Sequence, residues 1–546
     1  MKMKFIRKFT QKTRTSSNRN RDENHQGSAI DDGHRPLDTD LDINIKRFRE
    51  ETGNSPDLKV RQFELGSNPQ IRVAAIYNEG LVDQPQLNEF VIQPLMLSKD
   101  RGRLSEASGE QVFHFLRNHA LPVGEVDTVE NWNEVMNTVM DGNTIIFIDH
   151  FPVAIGCNTS GGEWRGIEKP TTELSIRGPK DSFNESISTN ISLIRRRIKS
   201  PNLWLEMYRI GEITHTDVAI MYMNGIVSDQ IVEEVRQRLT GIKVDGILQA
   251  GNIEQLIEDQ TMTPFPTVYN TERPDLVSRY LLDGRVAIIV DGTPFVLLVP
   301  ALFTQFFVAS DDYAQRYDIS SFIRLLRYAS FLISLLGPSI YIAAITFHQE
   351  MIPTPLLFSL AATREGVPFP ALVEALLMEL SFEILREAGI RMPRAVGQAV
   401  SIVGALVLGQ AAVQAGIVSP AMVIVVSITG IASFSTPAYN LAVSARLIRF
   451  VLMILAATFG FYTLTLAMIV LVAHLSSLRS FGIPYLSPYA PFQMDDQKDA
   501  LVRLPLWMLA TRTKAINKKN IKKMEPSGHS MLKKQNNRPE GERHEE

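Results

Sequence analysis

Glu379, Glu383, Arg386 and Glu387 recur at spacings of three and four within EALLMELSFEILREAGIRMPR, residues 374–394. At about 100° per residue these positions share one face of a helix. Carboxylates aligned on one face attract cations, and repeated around an oligomer they would form acidic rings like those that select cations in channels. The stretch carries four glutamates and three arginines, yet it lies in the most apolar third of the chain. Glu374 stands apart near its start, while leucines, Phe382 and Ile384 cover most of the remainder. Pro370 suits a first helical turn and Gly389 a stop, which gives about 19 residues, roughly 28 Å of helix. Burial against lipid is disfavoured by the cost of charge in hydrocarbon. Helices that lie on anionic membranes carry lysine and arginine on the polar face, whereas this face is net acidic. It is therefore expected to meet water in a channel vestibule, or to meet a partner subunit.

Other reactive groupings are missing. There is no glycine-rich phosphate loop, zinc-ligand spacing, serine-nucleophile elbow or dinucleotide fingerprint. Asp149 and Asp291 suggest paired acids, but they recur at equivalent hairpin turns, so a turn role is expected for both. Cys157, the single cysteine, rules out an internal disulfide and reads as a small buried side chain. His348 in FHQEM reads as structural. No enzyme activity, metal or cofactor is expected, and a formal net charge of −3 gives no basis for a nucleic-acid partner.

The elements that must position the charged helix come in two halves. The polar half repeats itself: VAAIYNEGLVD from Val73 matches VAIMYMNGIVSD from Val218, 145 positions later, and MDGNTIIFIDHFPVAI answers LDGRVAIIVDGTPFVLL at an offset of 142. Each copy reads as a strand, helices and a hairpin, with Asp291-Gly292 as turn chemistry. The fold class expected is α/β plus α-helical membrane: duplicated α/β cytoplasmic lobes at 60–160 and 212–300, then a multi-span transmembrane helical domain at 320–475. Residues 1–55 read as a disordered basic extension, and 476–546 as a lysine-rich cytoplasmic tail, partly disordered. The connector, 161–211, carries Arg177, Lys180, Glu185 and the consecutive Arg195, Arg196 and Arg197. Three consecutive arginines fan around a helix, which leaves a solvated connector and a docking helix for a neighbouring subunit both open.

Four segments are long and apolar enough to span a bilayer: about Tyr328–Phe347, and runs starting at Gly397, Ala421 and Phe450. The piece from Ile352 is short and proline-marked, so 352–390 is expected to hold an amphipathic or re-entrant segment. Cytoplasmic termini require an even number of crossings, taken as four, with five kept open. The second span carries small residues at Gly397, Ser401, Gly404, Gly409, Ala412 and Gly416. Such a stripe permits close helix packing or lines a pore, with Val403 and Leu406 as candidate constriction residues.

Four longer stretches carry a resemblance: IRGPKDSFNESISTNISLIRRRIKSPNL, GPSIYIAAITFHQEMIPTPLL, REGVPFPALVEALLMELSFEILREAGIRMP and SFGIPYLSPYAPF. Through them the chain resembles the A subunits of the GerA-type germinant receptors of bacterial spores over about 60–510. The resemblance implies a multi-pass subunit in the inner membrane of the spore that triggers germination when nutrients appear. It implies a transporter-like B subunit and a lipoprotein C subunit as partners, and homo-oligomerisation into a nutrient-gated cation channel. A non-conducting signalling scaffold and a secondary transporter for the nutrient are the competing expectations. The resemblance supplies no catalytic residue.

Overall fold

The structure, a computed structural model, describes residues 35–65, 71–97, 108–162, 177–393, 409–494, 496–517 and 520–524, with 170, 173 and 175 as isolated positions. The first lobe opens with α1 (Leu41–Glu51), then β1 (Leu58–Leu65) and β2 (Ile71–Asn78). Helical segments over 84–97 and 109–120 lead to β3 (Val126–Val129), α2 (Trp132–Met140), β4 (Thr144–Ile148) and β5 (Ala154–Cys157). The second lobe repeats this plan with α3 (Ile187–Arg197), β6 (Leu203–Ile210), β7 (Thr216–Met223), β8 (Tyr269–Thr271), α4 (Pro274–Leu282), β9 (Val286–Val290) and β10 (Val296–Val299). The sheets have the same order, β1-β2-β4-β5-β3 and β6-β7-β9-β10-β8, and every pairing is antiparallel.

Central strands are apolar throughout because both faces of each sheet are covered. Successive side chains alternate between faces, so Ile146 and Ile148 enter the core under 84–120, while Ile145 and Phe147 enter the core under α1 and α2. In lobe two, Ile288 and Val290 face one core, and Ala287 and Ile289 face another that continues to Phe331, Leu452 and Leu475 of the helical half. A shared apolar core thus seats lobe two on the helices.

The repeat is longer than the sequence match. Helix α1 corresponds to α3 at an offset of 146, and the hairpin aspartates explain why. Asp149 Oδ1 accepts the Leu41 amide at 3.2 Å, and Asp291 Oδ1 accepts the Ile187 amide at 3.1 Å. Each carboxylate satisfies a donor left open at a helix start. Asn44 closes a loop onto Asp38 just as Asn190 closes one onto Asn184, with side-chain amides donating to the carbonyls at 2.7 Å in both. The turn itself needs a left-handed residue; Gly292 has φ 82°, and His150 takes φ 61° in lobe one.

Several boundaries move accordingly. Residues 41–51 are not disordered: Leu41, Ile45 and Phe48 are at most 4% exposed, and burying each is worth about 1.5–3 kcal/mol. Residues 1–34 of that expectation lie outside the described residues. The connector is not a separate unit, since α3 and β6 belong to lobe two. The tail folds back at first: Leu478, Phe481, Tyr485 and Ile516 are buried. Residues 525–546 lie outside the described residues.

The helical half contains α5 (Tyr317–Thr346), α6 (Thr354–Arg364), α7 (Ala371–Arg391), a helical piece over 409–414, α8 (Pro420–Ser433), α9 (Tyr439–Phe459) and α10 (Phe461–Ser477). Two of these, α5 and α9, are long and apolar enough to cross a membrane. The run expected as one span from Phe450 is two helices, because Gly460 (φ 62°) reverses the chain against His348. A Cβ there would lie 2.7 Å from the His348 ring. Both ends of this hairpin return to lobe two: Ser444 Oγ donates to the Pro264 carbonyl, and His474 Nε2 lies 2.9 Å from Thr263 Oγ1. Helix α6 has 11 residues. Helix α7 passes Gly389 and ends at Arg391.

Candidate functional site: an ion-pair network between bundle helices

The Glu379 and Glu383 part of the acidic face of α7 is turned into the bundle. It packs toward α9, whose Arg446 and Arg449 are one turn apart and so share a face. Arg449 Nη2 lies 2.7 Å from Glu379 Oε2 and 3.7 Å from Glu383 Oε1. Arg446 Nη1 reaches Glu383 Oε2 at 3.1 Å, and Arg386 Nη1 reaches Glu383 Oε1 at 2.8 Å. Arg386 Nη2 also donates to Ser433 Oγ of α8 at 3.2 Å, and Arg449 Nη1 to the Ser334 carbonyl of α5 at 3.4 Å. Four helices thus meet at five charged side chains. Glu379 is 2% exposed and Arg449 1%. Burial at this depth is tolerable only because opposite charges are paired.

The remaining charges of α7 divide. Glu387 pairs with Arg391 at 2.6 Å on the exposed side. Glu374, fully buried, takes Arg364 Nη2 at 3.0 Å and the Ser419 amide at 2.9 Å, and so fixes the start of α8. Of the small-residue stripe, Gly397, Ser401, Val403, Gly404 and Leu406 lie outside the described residues. Gly409 approaches Val423, Ala412 packs into the core around Met422, and Gly416 (φ 66°) ends the helical piece.

The connector arginines are largely consumed within the chain. Arg195, 1% exposed, makes a bidentate pair with Asp57 of lobe one at 2.8 and 3.1 Å and donates to the Leu203 carbonyl at 2.6 Å. It ties the lobes to each other. Arg196 Nη2 donates to the Gly161 carbonyl at 3.3 Å, and Arg197 Nη2 to Asp181 at 2.7 Å. Arg177, Lys180 and Glu185 are exposed; the Arg177 amide donates to Asp311 at 3.3 Å, and the Glu185 carbonyl accepts the Gly292 amide at 2.8 Å.

A second buried network joins lobe two to the bundle, and sequence reasoning missed it. Arg324 of α5, fully buried, binds Asp312 at 3.1 Å and Asp499 at 3.0 Å. Arg279 of α4 binds the other Asp499 oxygen at 2.8 Å, and Tyr313 donates to the same carboxylate. Burial works to raise the Asp499 carboxyl, but Arg279 and Arg324 outweigh it and hold it below the usual range. The signal was the Asp311-Asp312 pair followed by Arg324 and Arg327 on one face at the start of the apolar run, charges that a span entering lipid would leave unmet. Cys157 is fully buried, and burial pushes its thiol up to about 12, so it stays unreactive. Among the described residues, no three metal-ligating side chains gather.

These features define a class: a duplicated α/β head seated by a shared core and buried arginine–carboxylate pairs on a bundle of apolar helices. The chain belongs to the family described as Bacillus/Clostridium GerA spore germination protein, which matches residues 46–515. It is 53% identical over 477 residues to spore germination protein KA of Bacillus subtilis (strain 168), covering 87% of each chain. It is 43% identical to the uncharacterized membrane protein YfkQ of the same organism, over 90% of this chain and 94% of that one. It is 39% identical to spore germination protein GerLA of Bacillus cereus, over 87% and 95%. A crystal structure of the N-terminal domain of the A subunit of the Bacillus megaterium spore germinant receptor GerK3 aligns at 40% identity and TM-score 0.39, over 50% of this chain and 98% of that one.

Proposed function

We propose that the chain is the A-type subunit of a nutrient germinant receptor, residing in the inner membrane of the spore with both lobes and the tail cytoplasmic. Its helical half crosses the membrane an even number of times, because α5 leaves from lobe two and α10 returns to it. Together with a transporter-like B subunit and a lipoprotein C subunit, it assembles as a homo-oligomer that conducts cations when nutrient is present. The observation that carries the conduction reading is the set of five ionisable side chains kept inside the bundle, where charge is costly unless it serves a pathway or a switch. The pair at its centre leaves Glu379 Oε1 and Arg449 Nε without partners, so parting it forfeits less than parting a fully bonded pair. Helix α7 then acts as a clamp that holds the bundle closed, in place of an open acidic vestibule. A nutrient must favour the unclamped state to open it. Reconstituting the subunit with its partners in potassium-loaded vesicles tests the proposal: absence of any nutrient-dependent potassium release would eliminate conduction and leave the scaffold reading.

A further inference from the structure

A cavity of about 860 Å³ separates lobe two from the lobe-facing ends of α7, α8 and α9. Arg386 and Arg446 line it from the bundle. Their charge is incompletely matched: both share Glu383, while Glu379 is taken by Arg449. Three guanidinium groups therefore face two carboxylates, and an unmatched buried cation is costly until an anion meets it. On the lobe wall the charged groups are engaged with partners of their own. Arg273 is bound to Asp275 at 3.0 Å, and Asp311 takes the Ser175 hydroxyl and the Arg177 amide. Glu173 accepts the Thr271 hydroxyl, and burial pushes its carboxyl up to about 7, toward the uncharged form.

The mouth of the cavity has a different character. Ile390, Phe434 and Tyr439 line it and are 60%, 75% and 60% exposed, and Ile431 continues the apolar strip along α8 at 72%. A guanidinium pair inside and an apolar strip outside match an amphiphile with an anionic head. We infer that the cavity binds the phosphate of an anionic phospholipid headgroup, with acyl chains lying along α8. This rests on the proposed membrane placement of the bundle.

The test is native mass spectrometry of the full-length protein titrated with phosphatidylglycerol, beside flotation of the same protein with phosphatidylcholine vesicles. One phosphatidylglycerol should be retained by the unaltered protein. Arg446→Gln and Arg386→Gln should each weaken retention about tenfold, the loss expected for one charge-assisted contact, and Arg446→Lys should keep most of it. Should the glutamine variants fail to fold, Phe434→Ala and Tyr439→Ala leave the Glu383 pairs intact and should still lower retention. Equal retention by all variants overturns the inference, as does equal protection against melting by inorganic phosphate, which would mark a free-anion site. Failure to float overturns the membrane placement and the inference with it; flotation without retention overturns the inference alone.

Discussion

Arg449 and Glu379 meet at 2.7 Å in the middle of the helical bundle, with side chains 1% and 3% exposed. They come from helices about seventy residues apart in the chain, and neither charge could stay at its depth without the other. The pair is consequently a point where removal of one partner has a larger effect than removal of both.

Arg449→Met should lower stability by about 3–5 kcal/mol, because it strands Glu379 in a buried site. Adding Glu379→Gln should recover a large part of that loss, and the coupling is read from a double-mutant cycle of detergent melting curves. Additive losses would mean that the two side chains act independently.

The lobes should come apart at Asp57. Asp57→Ala leaves the Arg195 guanidinium buried without its bidentate carboxylate, a loss again of about 3–5 kcal/mol. Hydrogen exchange should rise in α3 and β6 first, while β4 stays protected. Unchanged protection in α3 would contradict an inter-lobe role for the pair.

Gly460 should tolerate no side chain. Its φ of 62° with ψ −134° lies in a region kept essentially for glycine, at a cost to an L-residue of about 1–3 kcal/mol, and a Cβ would press on His348 at 2.7 Å. Gly460→Ala should therefore lower the melting temperature of the bundle. Gly430, with nothing near its Cβ position, is the control whose alanine variant should melt as the parent does or slightly higher.

Acidity should act through Glu254. Burial raises its carboxyl to about 7, against the hydrogen bond from Asn270, which lowers it. A carboxyl raised in the folded state adds stability fully present below its unfolded value of about 4.3, and that contribution is lost as pH rises toward 7. Glu254→Gln should remove this slope and make the protein relatively more stable at pH 8 than the parent. Parallel melting curves against pH for both proteins would refute the assignment.

Much of the architecture was legible in the sequence. The repeat was readable because strands and turns keep residue type and spacing when a unit is duplicated, and the shared hairpins correctly made Asp149 and Asp291 structural. Helix α1 was overlooked because only Leu41, Ile45 and Phe48 mark it within a polar segment. Their i, i+4, i+7 spacing, and the parallel with ISTNISLI in α3, was the signal. The break at Gly460 was hidden because an uninterrupted apolar run looks the same whether it continues straight or turns back in lipid or core.

Residue order by itself determined which side chains share a helix face: Glu379 with Glu383, and Arg446 with Arg449. Only the tertiary structure decided that these two faces meet, that Arg195 answers Asp57 inside the chain, and that Asp499 bridges Arg279 and Arg324. Periodicity is a local property fixed by backbone geometry. The orientation of one face toward another depends on packing among elements distant in sequence, and buried charge makes that choice specific because an unpaired partner has nowhere else to go.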